Sequence, residues 1–259
     1  MAEKLFVVTG SKGGVGATTV ALNLAVQLVQ LITKRVALIE FARPFDQIGP
    51  MLDFQARFTL LDALERVDRL DEALLASLFT RHKSGIEILA GPLHVALCAA
   101  QRPSVTLEAL LRILELARSA SDFVVVDLGS VNAAEWSRVL HTADALLLIA
   151  EPGALALGML ERYLHAVDSA GLERARQNDD EPLVQFEKIL KQFFFARLPN
   201  DYRQVSESVT LGIPLTAATN NPLGCRYRDI AARLIAQTPT SESSHSESHA
   251  AVPVLTGAK

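Results

Sequence analysis

The chain is poor in cysteine, with only Cys98 and Cys225 among 259 residues. Two are too few for a disulfide framework, and they carry no metal-ligand spacing. A basic surplus is also missing: 25 Lys and Arg against 29 Asp and Glu leave a net charge of -4. That balance gives no electrostatic case for wrapping nucleic acid or adhering to an anionic membrane. No uncharged stretch approaches the roughly 20 residues a spanning helix needs. Met1-Ala2-Glu3-Lys4 leads straight into a strand-like segment, so a signal peptide is not expected and the expected location is cytoplasmic. The six histidines are scattered, no Ser/His/Asp arrangement follows from spacing, and no nucleophile elbow is present.

Aliphatic residues are abundant: hydrophobic residues make up 49% of the chain although aromatics contribute only 6%. Short apolar runs alternate with longer helical patterns. Leu5–Val8, Val36–Ile39, Ile86–Leu89, Phe123–Val126 and Ala145–Ile149 read as buried strands, because unbroken apolar runs suit a parallel sheet covered on both faces. Thr18–Leu31, Leu107–Arg118 and Ala154–Ala170 read as helices between them. The alternation predicts an α/β fold: a doubly wound, mainly parallel sheet with helices on both faces. Residues 1–237 are expected to form one domain. Glu173–Glu187 reads as an exposed polar loop. Residues 238–259 begin with a Ser-rich run and read as a disordered polar tail.

The most informative segment runs from Gly10 to Thr19, Gly-Ser-Lys-Gly-Gly-Val-Gly-Ala-Thr-Thr. It follows the first strand and opens an amphipathic helix, the context a phosphate-binding loop requires. Glycines let backbone N–H groups approach phosphate oxygens without a Cβ clash. The helix start adds its own unpaired N–H groups. Thr18 offers a hydroxyl to Mg2+ and Thr19 one to a phosphate.

Lys12-Gly13-Gly14-Val15-Gly16-Ala17-Thr18-Thr19 resembles the deviant Walker A motif of the ParA/MinD family of P-loop ATPases. The resemblance implies ATP and Mg2+ as cofactors and a homodimer in which Lys12 reaches the partner's nucleotide. The family's second lysine is replaced by Ala17, and losing one charge-assisted hydrogen bond costs roughly 1.5–3 kcal/mol. Weakened binding and slow or absent hydrolysis are therefore expected. Asp122-Phe-Val-Val-Val-Asp127 has the form of a Walker B strand, with Asp127 placed to hold Mg2+ through water. Leu38-Ile39-Glu40-Phe41-Ala42 stands where the family carries two aspartates: Glu40 keeps the first carboxylate in a catalytic position, and Ala42 removes the second. Pro199-Asn200-Asp201 resembles the family's Pro-x-Asp loop near the base, so Pro199 and Asp201 join the nucleotide-contacting set. The strand expected upstream, ending in a purine-recognising asparagine, is not recognisable.

Ala17 and the Asp127-Leu128-Gly129-Ser130 turn resemble the CpaE/TadZ branch. That implies a localisation or assembly factor for a pilus or secretion machine, recruited to the inner face of the membrane by partners. Two alternatives stay open: a nucleotide-free pseudo-ATPase scaffold, and a slow ATPase in chromosome partition or division-site placement. Arg226, Arg228 and Arg233 read as a solvated face rather than a DNA site. The proline-interrupted end, Ala251 to Lys259, lacks the basic amphipathic helix of membrane-binding relatives, so autonomous membrane binding is not expected. Trp136 leaves core and dimer packing both open.

Overall fold

A computed structural model describes residues 3–41, 47–91, 106–130, 133–151, 194–217, 221–237 and 254–258. The apolar runs form strands as their pattern predicts: β1 (Lys4–Gly10), β2 (Val36–Glu40), β4 (Glu87–Leu89), β5 (Phe123–Asp127) and β6 (Ala145–Ala150). A short β3 (Thr80–Arg81), β7 (Phe194–Pro199) and β8 (Val254–Ala258) complete an eight-stranded sheet in the order β3-β4-β2-β5-β1-β6-β8-β7. Among the described residues, only the β3–β4 pair is antiparallel.

Because a strand's side chains alternate between faces, each apolar run feeds two cores at once. Leu5, Val7, Ala37, Ile39, Val124, Val126, Leu146 and Leu148 enter one core. Their neighbours Phe6, Val8, Val36, Leu38, Phe123, Val125, Ala145 and Leu147 enter the other. The first core is covered by α3 (Leu60–Leu64), α4 (Glu72–Leu78), α5 (Leu107–Ala120) and α6 (Ala133–His141). The second is covered by α1 (Ala17–Ile32), α2 (Ile48–Leu52) and α8 (Pro222–Gln237). Each fully buried Val, Leu or Phe stabilises this arrangement by about 1.5–3 kcal/mol. The doubly wound reading therefore holds.

Helix α1 buries nearly every residue from Ala17 to Leu28 and ends at Thr33, whose left-handed backbone returns its N–H to the Val29 carbonyl. Thr106 caps α5 by accepting from the Ala109 N–H at 3.1 Å. The short helices between Ile48 and Leu78 are absent from the sequence expectation. At five to seven residues each they are too short to display a helical period. Local caps set two of them: the Asp62 carboxylate accepts from the Thr59 N–H, and Asp71 accepts from the Leu74 N–H.

The structure departs from the expected tail in its last part. Val254–Ala258 forms β8, paired in parallel with both β6 and β7. The Ser-rich run itself lies outside the described residues, while the Val254-Leu255 pair finds backbone partners that only a distant part of the chain supplies. The helix expected over Ala154–Ala170, the polar stretch Glu173–Glu187 and Cys98 lie outside the described residues.

Candidate functional site

The site grows from the carboxyl end of β1. The Gly10 N–H donates to the Gly129 carbonyl at 2.7 Å, and the Ser11 N–H to the Ile149 carbonyl at 2.8 Å. The loop therefore leaves the sheet anchored to the turn after β5 on one side and to β6 on the other. A Cβ on Gly10 would lie 2.7 Å from the Val15 side chain and 2.8 Å from the Lys12 carbonyl. The loop folds back so tightly there that only glycine fits. Gly16, at φ 91, is the N-cap of α1 and has no side-chain cap. The first-turn amides of α1 thus open toward the loop without intrahelical acceptors, the arrangement that receives an anion.

Gly13 and Gly14 are exposed, Val15, Gly16 and Thr19 half-buried, and Ala17 and Thr18 buried. Ala17 begins α1 and is buried, so its methyl group is part of the wall. Ser11 is buried, and its Oγ has no hydrogen-bond partner among the described residues. Lys12 pairs with Glu151, the residue directly after β6. Glu151 is absent from the sequence expectation. Its signal was an acidic residue at a strand's carboxyl end, where crevices of open α/β sheets form.

Asp127 closes β5 beside the loop and is wholly buried. Its Oδ1 accepts from the Gly129 N–H at 2.9 Å, while Oδ2 has no hydrogen-bond partner of good geometry among the described residues. Burial pushes its carboxyl above the usual range, against the opposing pull of the Thr18 hydroxyl and the Gly129 amide. A buried carboxylate oxygen without such a partner, next to a threonine hydroxyl, is costly unless a cation or its water completes it. These residues fit Mg2+.

Glu40 is also fully buried. It ends β2 opposite Asp127 in the sheet register, yet its two oxygens accept from the Gln47 N–H at 2.7 Å and the Gly91 N–H at 3.0 Å. The carboxylate therefore ties the loops after β2 and β4 together. Ala42 lies outside the described residues.

On the far side, Pro199 ends β7, and Asp201 caps α7 (Tyr202–Leu211) by accepting from the Gln204 N–H at 3.0 Å. Asp201 Oδ2 also accepts from the Gln204 amide. Of the three arginines, Arg226 and Arg228 are exposed on α8. Arg233 departs from the solvated-face expectation: its guanidinium lies 4.0 Å from the centroid of buried Phe195. Trp136 is half-buried against the first core. The structure thus brings Lys12–Thr19 and Asp127 together, with Glu40 on the next strand. Pro199 and Asp201 stand across β6 and β8 from them.

A glycine cradle at the first strand, a helix start and a buried aspartate on the adjacent strand define a P-loop protein of the doubly wound α/β class. The family model described as an AAA domain matches residues 3–178. The chain belongs to this family, that of the ParA/MinD-type P-loop ATPases. It is 26% identical over 252 residues to a relative named as a septum site-determining protein MinD from Guillardia theta, covering 90% of this chain and 89% of that one. Among solved structures it resembles a ParA family ATPase from Chlorobium tepidum, with a TM-score of 0.77 and 22% identity over 89% of this chain and 99% of the other. It also resembles the MinD of Pyrococcus horikoshii complexed with Mg-ADP, with a TM-score of 0.72 and 19% identity over 93% and 100% of the two chains. No helix among the described residues is long and apolar enough to cross a membrane.

Proposed function

We propose that this protein binds ATP with Mg2+ and turns it over slowly or not at all, serving as a nucleotide-responsive localisation or assembly factor. The observation that carries the reading is the buried, half-satisfied Asp127 beside Thr18 at the mouth of the glycine cradle. In the complex, the amides of Gly13 to Ala17 cradle the phosphates, Thr19 adds a hydroxyl, and Thr18 and Asp127 hold the cation. Magnesium supplies charge neutralisation at the phosphates. Ala17 supplies none, which weakens both binding and turnover.

Lys12 is the second cation of the loop, held by Glu151 within the same chain. In the proposed homodimer it leaves Glu151 for the partner's nucleotide. Glu40 acts as a positioning residue, because both of its oxygens are occupied by backbone donors. Pro199 and Asp201 shape the base side, with Asp201 fixing the start of α7.

The motif at Ala17 and the Asp127–Ser130 turn favour a pilus or secretion machine as the partner, with recruitment to the inner membrane face by that machine. The MinD-named relative favours division-site placement as the second reading.

Calorimetry with Mg-ATP tests the binding. Heat of binding that disappears in Asp127→Ala supports the reading, and no heat at millimolar ATP leaves a nucleotide-free scaffold. Ala17→Lys is expected to raise phosphate release by about ten-fold or more, since a restored charge-assisted bond is worth one to two decades. Release that stays flat would place the loss of turnover elsewhere in the site.

A further inference from the structure

β8 is inserted between two strands that each have a further hold of their own. β8 lies between β6 and β7: Leu148, Ile149 and Ala150 face Val254, Leu255 and Thr256. On the other side Arg197, Leu198 and Pro199 face Thr256, Gly257 and Ala258. β6 is held by its parallel pairing with β1. β7 is held from one face, where buried Phe195 and Leu198 share a core with Leu223, Tyr227, Ile230 and Leu234 of α8 and with α1. The Arg233 guanidinium stacked on Phe195 adds to that hold. Withdrawal of β8 would leave two facing strand edges about 10 Å apart, the width of one missing strand. Unpaired edges set at that spacing form a template for an extended segment, since main-chain bonds on both sides supply affinity.

The occupant is short and weakly strand-forming. β8 has five residues, one of them Gly257, and glycine inside a strand weakens it. Residues 238–253 separate it from the end of α8. A chain of that length spans at most about 55 Å, so a withdrawn β8 would stay at high local concentration. The register also places Ala258 level with Pro199 at the carboxyl end of β7, and Thr256 level with Ala150, one residue before Glu151. Docking therefore places the carboxyl end of β8 between Ala150 and Pro199, at the same edge of the sheet as the glycine loop.

We propose that the slot between β6 and β7 is a strand-binding site, and that this chain's own Val254–Ala258 is its reversible occupant. Resting on the nucleotide-binding reading above, we also infer that docking of β8 and filling of the crevice favour one another, because the same strand forms one wall.

Hydrogen exchange on the full chain tests the docking directly. The amides of Val254–Ala258 are expected to exchange at least ~100-fold faster than those of Leu5–Val8, yet ~10-fold or more slower than in a free peptide of residues 251–259. Exchange as slow as in β1 overturns reversibility, and exchange as fast as in the peptide overturns docking. In the full-length Leu255→Pro variant, which lacks a ladder N–H at a two-sided strand, the β6 and β7 amides should lose ~10-fold or more of their protection. Excess 251–259 peptide should restore it, and unchanged protection in the variant overturns the proposal. Protection of 254–258 that rises with protein concentration would assign the strand to a second copy and overturn its placement within the chain.

For the coupling, slower exchange at 254–258 with Mg-ATP supports it. Unchanged exchange in a sample that binds Mg-ATP by calorimetry overturns the coupling alone. Absence of calorimetric binding overturns the nucleotide reading and leaves the docking result standing.

Discussion

The phosphate side of the crevice and its far side are built by different means. On the phosphate side, β1, its loop and α1 are consecutive in the chain, and β5 joins β1 in unbroken register from Lys4↔Phe123 to Val8↔Asp127. The residues of β1 after Lys4 and all of β5 are buried. The far side gathers β6, β8 and β7 from three distant parts of the sequence, with a register shift between Phe194 and Ala196. One side is a locally specified, closely packed cradle. The other is an assembled wall whose central strand arrives from beyond the last helix. On the function and strand docking proposed above, a closely packed loop side and an exchangeable strand on the far side would let a ligand change the surface shown to partners.

The largest effect is expected from Gly10→Ala on the closely packed side. The added Cβ meets the Lys12 carbonyl and Val15 at under 3 Å, and the overpacking should cost about 3 kcal/mol in urea unfolding. A cost below about 1 kcal/mol would mean that the cradle adapts as readily as the far wall.

Asp127→Asn separates stability from binding on the same side. Removing a buried, half-satisfied carboxylate should stabilise the ligand-free protein by about 1 kcal/mol. The same variant should lose the Mg2+-dependent part of any stabilisation by ATP, read as the melting-temperature shift with and without Mg2+. A variant that melts lower and keeps the Mg2+ effect would remove Asp127 from the cation site.

On the far side, Arg233→Ala should cost about 1 kcal/mol through loss of the guanidinium on Phe195. That loss should increase exchange in β7 while leaving β1 protected. Equal effects on both strands would erase the contrast between the two walls.

The smallest effect lies away from both walls. His82 packs edge-on to Phe54 and its Nδ1 accepts from the Ser84 N–H at 3.2 Å. Burial, and secondarily Lys83, hold its pKa below the usual value. The unfolded chain therefore binds the proton more readily, and stability should fall as pH drops below about 6.5 toward the lowered folded value. His82→Gln should flatten the stability-against-pH curve in that window while leaving neutral-pH stability of the two walls in their original order.

Legibility in the sequence follows the same division. The glycine loop was readable because its φ requirements, its flanking strand and its helix lie within a few residues of one another. Asp127 was readable as the end of an apolar run. Glu151 was not, because its meaning depends on Lys12, which approaches it only when β6 lies beside β1. The carboxylate at position 40 could be found, but its two backbone donors, Gln47 and Gly91, come from loops that periodicity does not relate. Arg233 looked like any exposed basic residue until β7 placed Phe195 beneath it.

By itself the sequence determined five of the parallel strands, their burial and the glycine loop, because local sterics and side-chain alternation act over a few residues. Only the tertiary structure decided what stands between β6 and β7, how Glu40 spends its oxygens and which residue holds Lys12. Those outcomes depend on backbone donors and acceptors that meet across long stretches of chain. A strand's partners are set by whichever edge the finished core leaves within reach, and five residues such as Val254–Ala258 carry no local mark of where that edge will be.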